Sequence, residues 1–298
     1  MKRKIVQHGS SSLTITLPIK WVEKYNVKKG DDIEVQESGP TLIVATKSEI
    51  TNAKKVITKN DGPFNKNDLS HLYQLGYDEL EIELSKDSLE EIKARLPNCM
   101  GFEIVDQKDN IIYIKNIANA LETEFDNLLR KAFLVTDEMG KELVQVLESG
   151  EIAKLSEVRN LESLNNKYTD ICIRILNKRG YKVQKREMQI YEVIKNVERI
   201  GDELKFLCDI FMKNKKPDKN IVLAVKDGVN YYNILYRMFY QYTAEDKEKI
   251  NDLRKKLIKK YTDLLEKSHG NNSKALHHII NLIEKTYEGA SAYSSLII

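Results

Sequence analysis

Two carboxylates, Glu198 and Asp202, stand four residues apart in the run Val-Glu-Arg-Ile-Gly-Asp-Glu-Leu at positions 197–204. On a helix this spacing stacks the two side chains on one face, where like charges repel by about 0.2–0.5 kcal/mol. Each follows a core-facing position, Val197 and Gly201, so both project from the edge of the apolar stripe. A glycine inside a helix costs about 1 kcal/mol against alanine, and Gly201 therefore predicts the close approach of another backbone. Catalytic sets are not found. A di-iron carboxylate centre needs Glu-x-x-His on two helices, and only Glu266-Lys-Ser-His269 occurs. No Walker loop, Ser-His-Asp order or zinc-type cysteine set is present, so the chain is expected not to be an enzyme.

The elements that must position these carboxylates are helices. Ile190, Val193, Ile194, Val197, Ile200, Leu204, Leu207 and Phe211 recur with helical period. Three long helical patterns cover about residues 118–148, 151–178 and 184–213, broken at Ser149-Gly150 and Arg179-Gly180. Short loops between them imply an antiparallel bundle. Going back from the second loop by the same distance as Glu198 and Asp202 lie beyond it lands on Glu162 and Asn166, so these pairs should face each other. Glu122 and Asp126 repeat the spacing at a helix start, where the helix dipole favours carboxylates. Beyond Pro217, three more helical patterns run over about 220–242, 245–268 and 273–290. In the last, Leu282-Ile-Glu-Lys-Thr-Tyr-Glu-Gly echoes Asn196-Val-Glu-Arg-Ile-Gly-Asp-Glu, placing Glu284 and Glu288 where Glu198 and Asp202 stand. Glu248 and Asp252 are expected on the facing helix, with Lys255 and Lys256 at a similar level. His277 and His278 are adjacent and cannot share one helical face; they are expected at the surface or the edge of the core.

The string Glu198-Arg-Ile-Gly-Asp202 resembles the signature of the PhoU family, all-helical regulators of phosphate uptake built from two three-helix bundles. The resemblance implies metal binding by acidic pairs on the second and third helix of each bundle. Carried onto this sequence, the ligands would be Glu162, Asn166, Glu198 and Asp202 in the first bundle, and Glu248, Asp252, Glu284 and Glu288 in the second. Asn166 stands where the family commonly has Asp, and it offers a neutral oxygen. Oxygen ligands do not select among iron, manganese, zinc and magnesium. At the second site Lys255 and Lys256 offer another reading, an ion-pair network without metal.

The N-terminal 48 residues have a different texture. Lys4-Ile-Val-Gln and Leu13-Thr-Ile-Thr-Leu17 alternate like strands around His8-Gly-Ser-Ser-Ser12. Pro18 opens a short helix over Ile19 to Tyr25, and Asn26 fits a left-handed stop. A turn at Lys29-Gly-Asp-Asp32 leads to a hairpin, Ile33-Glu-Val-Gln and Leu42-Ile-Val-Ala, around Ser38-Gly-Pro40. This order, with Leu17-Pro-Ile-Lys-Trp-Val and Val27-Lys-Lys-Gly-Asp-Asp-Ile-Glu-Val, is similar to the AbrB/SpoVT or MazE swapped-hairpin fold. The resemblance implies an interleaved homodimer through residues 1–48, usually one that binds double-stranded DNA. A module this short buries little surface alone. Lys2, Arg3, Lys4, Lys20, Lys24, Lys28 and Lys29 face a single acid, Glu23, within residues 1–30. Doubled in a dimer, these cations could neutralise several phosphates. Lysine contacts phosphate well but reads bases less well than arginine, so both DNA binding and pure dimerisation remain readings of this module.

Residues 49–117 read as a small α/β connector in the order β-α-β-α-β-β, with a helix from Asp68 stopped at Gly76, a second capped by Asp87, and a hairpin around Gln107-Lys-Asp-Asn110. The expected fold class is thus multidomain α+β: a swapped-hairpin β module at 1–48, the connector at 49–117, and PhoU-like three-helix bundles at 118–215 and 216–298. The net charge is only +3 over 298 residues, which excludes a strongly basic nucleic-acid binder overall. No 18-residue apolar run exists, so no membrane insertion is expected, and the polar N-terminus lacks a signal-peptide core. Cys99, Cys172 and Cys208 suit reduced thiols in a cytoplasm. With these features, the two resemblances imply a cytoplasmic, PhoU-like regulator of phosphate uptake that is expected to bind DNA through its N-terminal dimer. The other class is a protein-interaction adaptor contacting a phosphate transporter ATPase or a sensor kinase, with the N-terminal module serving only to dimerise.

Overall fold

The computed structural model describes residues 2–38, 41–46, 54–58, 62, 64–85, 88–118, 124–213 and 218–297. It divides into two compact units, Met1–Ala53 and Lys54–Ile298. The expected turn residues Gly39 and Pro40, the cap Asp87, the carboxylate Glu122 and the boundary residue Pro217 lie outside the described residues.

In the first unit, β1 (Val6–His8) pairs antiparallel with β2 (Ser12–Thr14), in register from Val6 opposite Thr14 to His8 opposite Ser12. Gly9 takes the positive φ of 69° that the tight turn needs. The alternation predicted to reach Leu17 outlasts the strand, because Thr14 is the last residue with a partner in its own chain. Helix α1 (Ile19–Lys24) starts at Pro18, whose extended ψ of 125° sets the entry. Asn26 sits at φ 52°, the expected left-handed stop. The next turn is held by the Lys28 backbone N–H donating to Asp31 Oδ2 at 2.7 Å. Strands β3 (Ile33–Ser38) and β4 (Thr41–Thr46) then form an antiparallel hairpin, Ile33 opposite Thr46 and Ser38 opposite Thr41.

The second unit spans what the sequence divides at 117 and 215. Its α/β layer holds β5 (Lys54–Ile57), α2 (Lys66–Gln74), β6 (Glu79–Glu83), α3 (Ser88–Arg95), β7 (Phe102–Lys108) and β8 (Ile111–Asn116), the predicted order of elements. The sheet order is β5-β6-β8-β7, with β5 parallel to β6 and the other pairs antiparallel. Alternating burial in β6 and β8 puts Leu80, Ile82, Ile112 and Ile114 in the buried core.

Six long helices follow: α4 (Phe125–Ser149), α5 (Leu155–Arg179), α6 (Glu187–Lys213), α7 (Lys219–Tyr240), α8 (Ala244–Leu265) and α9 (Asn271–Ile297). Gly150 closes α4 at φ 78° and Gly180 follows α5 at φ 70°, the two breaks read from the sequence. The last helix extends past the predicted 290 because Ala290, Tyr293 and Leu296 continue its buried stripe. Helices α4, α5 and α6 pack on one another, as do α7, α8 and α9, and α6 also runs along α9 while α4 contacts α7. The two three-helix groups thus share one continuous core, which takes in Cys172 and Cys208. Burial pushes the Cys208 thiol up to about 12, and the Cys99 thiol likewise, so both are protonated and inert at neutral pH.

The α/β layer is fastened to the helices by buried charge. Arg174 of α5 donates to the carbonyls of Tyr73 and Tyr77 at 2.9 and 2.7 Å and to Asp78. Lys178 reaches both Asp78 oxygens at 2.9 Å. Gly76, at φ 91°, lies so close to Lys178 that a Cβ there would sit 2.7 Å from Lys178 Cγ. Both its backbone angle and its space therefore exclude a side chain.

Candidate functional site

Two groups of residues carry candidate function, one in each unit. In the first, Lys2, Arg3, Lys4, Lys20, Lys24, Lys28 and Lys29 are all exposed. Lys24 Nζ also bonds the Tyr25 hydroxyl at 2.9 Å, while the rings of Trp21 on α1 and Tyr25 at its C-terminal cap lie 5.5 Å apart. Apolar side chains are exposed beside these cations: Ile5, Val6, Leu13, Ile15, Ile19, Val35 and Leu42 each show more than half their surface. No residue described in this unit belongs to the buried core. A module with this many uncovered Ile, Leu and Val side chains does not bury its own apolar surface.

The second group is the seam between α5 and α6. Asn165 and Gly201 meet at its centre: a Cβ on Gly201 would stand 3.0 Å from Asn165 Cγ and Oδ1. The partner predicted for Gly201 was a backbone; it is this buried carboxamide, whose Nδ2 donates to Thr136 Oγ1 at 2.6 Å and to the Val197 carbonyl at 3.4 Å. Beside it, Asn166 Nδ2 donates to Glu162 Oε1 at 2.8 Å. Lys205, one turn beyond Asp202, places its ammonium between two of the predicted carboxylates, 2.8 Å from Glu162 Oε1 and 2.5 Å from Asp202 Oδ1. Glu198 pairs with Lys195 at 2.8 Å. Glu162 and Asp202, expected to face each other, thus share one partner, Lys205. Burial acts against the charge of Lys205, yet its hydrogen bonds to Asp202 and Glu162, with their negative charge, hold its pKa above the ordinary lysine value.

One turn further along α5, Asp170 is buried and accepts from Gln74 at 2.7 Å and Arg95 at 3.2 Å. Burial pushes it up to about 6, against the nearby Arg95 guanidinium and the Gln74 bond; the charge of Glu198 adds to the rise. Among the described residues no group of three His, Cys, Asp or Glu side chains is arranged to hold a metal ion.

In the second three-helix group Glu284 is gripped by Arg254, Nε to Oε2 at 2.7 Å and Nη2 to Oε1 at 3.0 Å. The neighbours named from the sequence, Lys255 and Lys256, are exposed, as are Glu248 and Asp252. Helix α8 buries Ile250 and Tyr261 and half-buries Leu253 and Leu257, and Arg254 flanks that stripe while the two lysines lie on its outer side. Glu288 pairs with Lys285 of its own helix at 3.0 Å. His278 Nδ1 lies 2.7 Å from Glu203 Oε2, and its ring leans on Phe206.

Lys205, Lys195, Arg254 and the Asp78–Arg174–Lys178 group are not among the residues expected from the sequence. Lys205 had a visible signal, a cation three residues after Asp202 on the same face. Asp78 had none, since its partners lie about a hundred residues away.

Residues 6–51 match a family model described as antidote-toxin recognition MazE, bacterial antitoxin. The match covers most of the first unit and agrees with the AbrB/MazE-like order of its elements. No curated protein and no solved structure matches the chain. Among the described residues no helix is long and apolar enough to cross a membrane.

Proposed function

We propose that this protein is a DNA-binding regulator whose first unit pairs with that of a second chain. The observation that carries the proposal is the surface of that unit, where seven exposed cations stand beside seven exposed Ile, Val and Leu side chains. Interleaving with a second copy would cover the apolar faces, and it would bring fourteen cations onto one body. Lysines dominate the set, so the affinity comes mainly from phosphate contacts and is only weakly dependent on sequence. The similarity of residues 6–51 to the MazE family model supports this reading.

The helical body is read as the part that receives a signal. Its two three-helix groups, with Glu198-Arg-Ile-Gly-Asp202 on the third helix, support a PhoU-like role in phosphate uptake. The deciding experiment is fluorescence anisotropy of the full chain on labelled double-stranded DNA at two salt concentrations, with light scattering for the mass. Salt-sensitive binding by a dimer is the expected result. A dimer that fails to bind DNA at low salt would instead favour the adaptor, in which the first unit only joins two helical bodies that engage a transporter ATPase or a sensor kinase.

A further inference from the structure

The carboxylates of the α5–α6 seam resemble metal ligands in type and spacing, but the groups around them do not suit that use. A divalent ion of the hard type needs several oxygens at about 2.0–2.6 Å. Here the space between Glu162 and Asp202 is filled by the Lys205 ammonium, at 2.8 and 2.5 Å from their oxygens. The Lys205 and Glu162 side chains are only 17% and 15% exposed, so this is not a loose surface pair. Asn166 turns its amide nitrogen, a donor, toward Glu162. Its oxygen, the atom that would bind a metal, is buried and accepts no hydrogen bond from the protein. Glu198, the third carboxylate, is engaged by Lys195, and Asp170 one turn away by Arg95. Each acid of the seam therefore touches a cation supplied by the chain itself.

We infer that Lys205 is the resident cation of this seam, joining Glu162 of α5 to Asp202 of α6 in place of a metal ion. An ammonium can donate three hydrogen bonds, and two carboxylates on facing helices take up two of them. Without it, two partly buried carboxylates would confront each other uncompensated. That arrangement is costly to fold, and it has the charge and oxygen content that attract a divalent ion. Lysine and metal are thus alternative occupants of the same position, and this chain carries the lysine. The inference is independent of whether the first unit binds DNA.

The test uses the full-length protein, its metal content after gel filtration, and its melting temperature with EDTA, Mg²⁺ or Mn²⁺. The native protein is expected to carry no stoichiometric metal and to melt at the same temperature in all three. Lys205→Ala is expected to melt about 5 °C lower in EDTA and to regain part of that loss in Mn²⁺. Lys205→Arg, which keeps the charge, should ignore the ion as the native protein does. Should Lys205→Ala not fold, the double variant Lys205→Ala/Asp202→Asn, with one carboxylate neutral, is expected to fold and to ignore Mn²⁺. About one equivalent of metal on the native chain, or a melting temperature of native protein that rises with Mn²⁺, would overturn the inference. So would a Lys205→Ala protein indistinguishable from native in both measurements.

Discussion

Gly201 shows how tightly single residues constrain the seam. Replacing a helical glycine by alanine normally stabilises a helix by about 1 kcal/mol. Here the new methyl would press on Asn165, which is fully buried and held by Thr136 and the Val197 carbonyl, so it has little room to retreat. Gly201→Ala is therefore expected to destabilise by about 1–3 kcal/mol, measured by urea unfolding, and the loss should largely disappear in an Asn165→Ala background. Asp170 makes the stability of the fold depend on pH. Its folded pKa of about 6 stands above the unfolded value of 3.8, so the folded state binds the proton more tightly. The contribution of this group to stability thus rises as pH falls from 6 toward 4, and its ionised form is a burden above pH 6. Asp170→Asn, still able to accept from Gln74, should flatten that slope in thermal melts. At pH 7.5 it should be at least as stable as native, by up to about 3 kcal/mol. A variant that loses stability at pH 7.5 and keeps the slope would show that Arg95, rather than burial, governs this carboxyl. Glu162, Glu198 and Asp202 could be found from periodicity, because helix period and loop position fix depth. For Lys205 only the i,i+3 spacing from Asp202 was visible; its bridge to Glu162 was not, because periodicity reports which face a residue occupies and not which of several neighbouring charges will close on it.

Among the elements, the informative contact is between the loop after α2 and helix α5. Helix ends and strand order along the chain were legible because local chemistry marks them. Gly150 ends α4 in a left-handed conformation and Gly180 follows α5 at a positive φ of 70°, whereas α2 begins at Lys66, ahead of the expected Asp68, because Asn65 caps it reciprocally with Asp68. Alternation in Glu79–Leu84 marks a half-buried strand. Sheet order and the docking of the α/β layer were not legible, since both depend on pairings between residues far apart in sequence. Asp78 is an unremarkable acid until Arg174 and Lys178 come to it across the fold. Arg174 is only 2% exposed and also stacks near the rings of Tyr73 and Phe102, at 4.9 and 5.3 Å. Removing one partner of a buried pair costs more than replacing both, because the remaining charge is stranded. Arg174→Met is accordingly expected to cost about 3 kcal/mol, with the loss confined first to the α/β layer. Hydrogen exchange should show β6 and β8 losing protection before α6 and α9. Arg174→Met/Asp78→Asn should recover part of the stability, and equal loss in the single and double variants would refute the stranded-charge account.

At the scale of the whole molecule, the two units differ in what holds them together. The buried core begins at Ile57, and among the described residues none of it comes from the first unit. A charge placed on the exposed apolar face of that unit should therefore break the proposed pairing of chains without disturbing the helical body. Leu13→Asp is expected to halve the mass seen by light scattering while the main thermal transition stays in place. DNA affinity should fall with it, because a monomer presents half the cations. The salt dependence then tells which cations touch DNA. Each phosphate contact contributes about −0.9 to the slope of log affinity against log salt. Lys2, Arg3 and Lys4 supply six cations to a dimer, so replacing all three by glutamine should make the slope shallower by up to about 5. Lys28 and Lys29 flank the turn that Asp31 holds, and their replacement by glutamine would remove four cations and up to about 4 from the slope. A slope that changes with the N-terminal set alone would put the duplex along residues 2–4, and one that changes with both would extend it across the turn before β3. A slope unmoved by either substitution, in a protein that still dimerises, would leave the first unit as a joint between two helical bodies and move the search for a partner to those bodies.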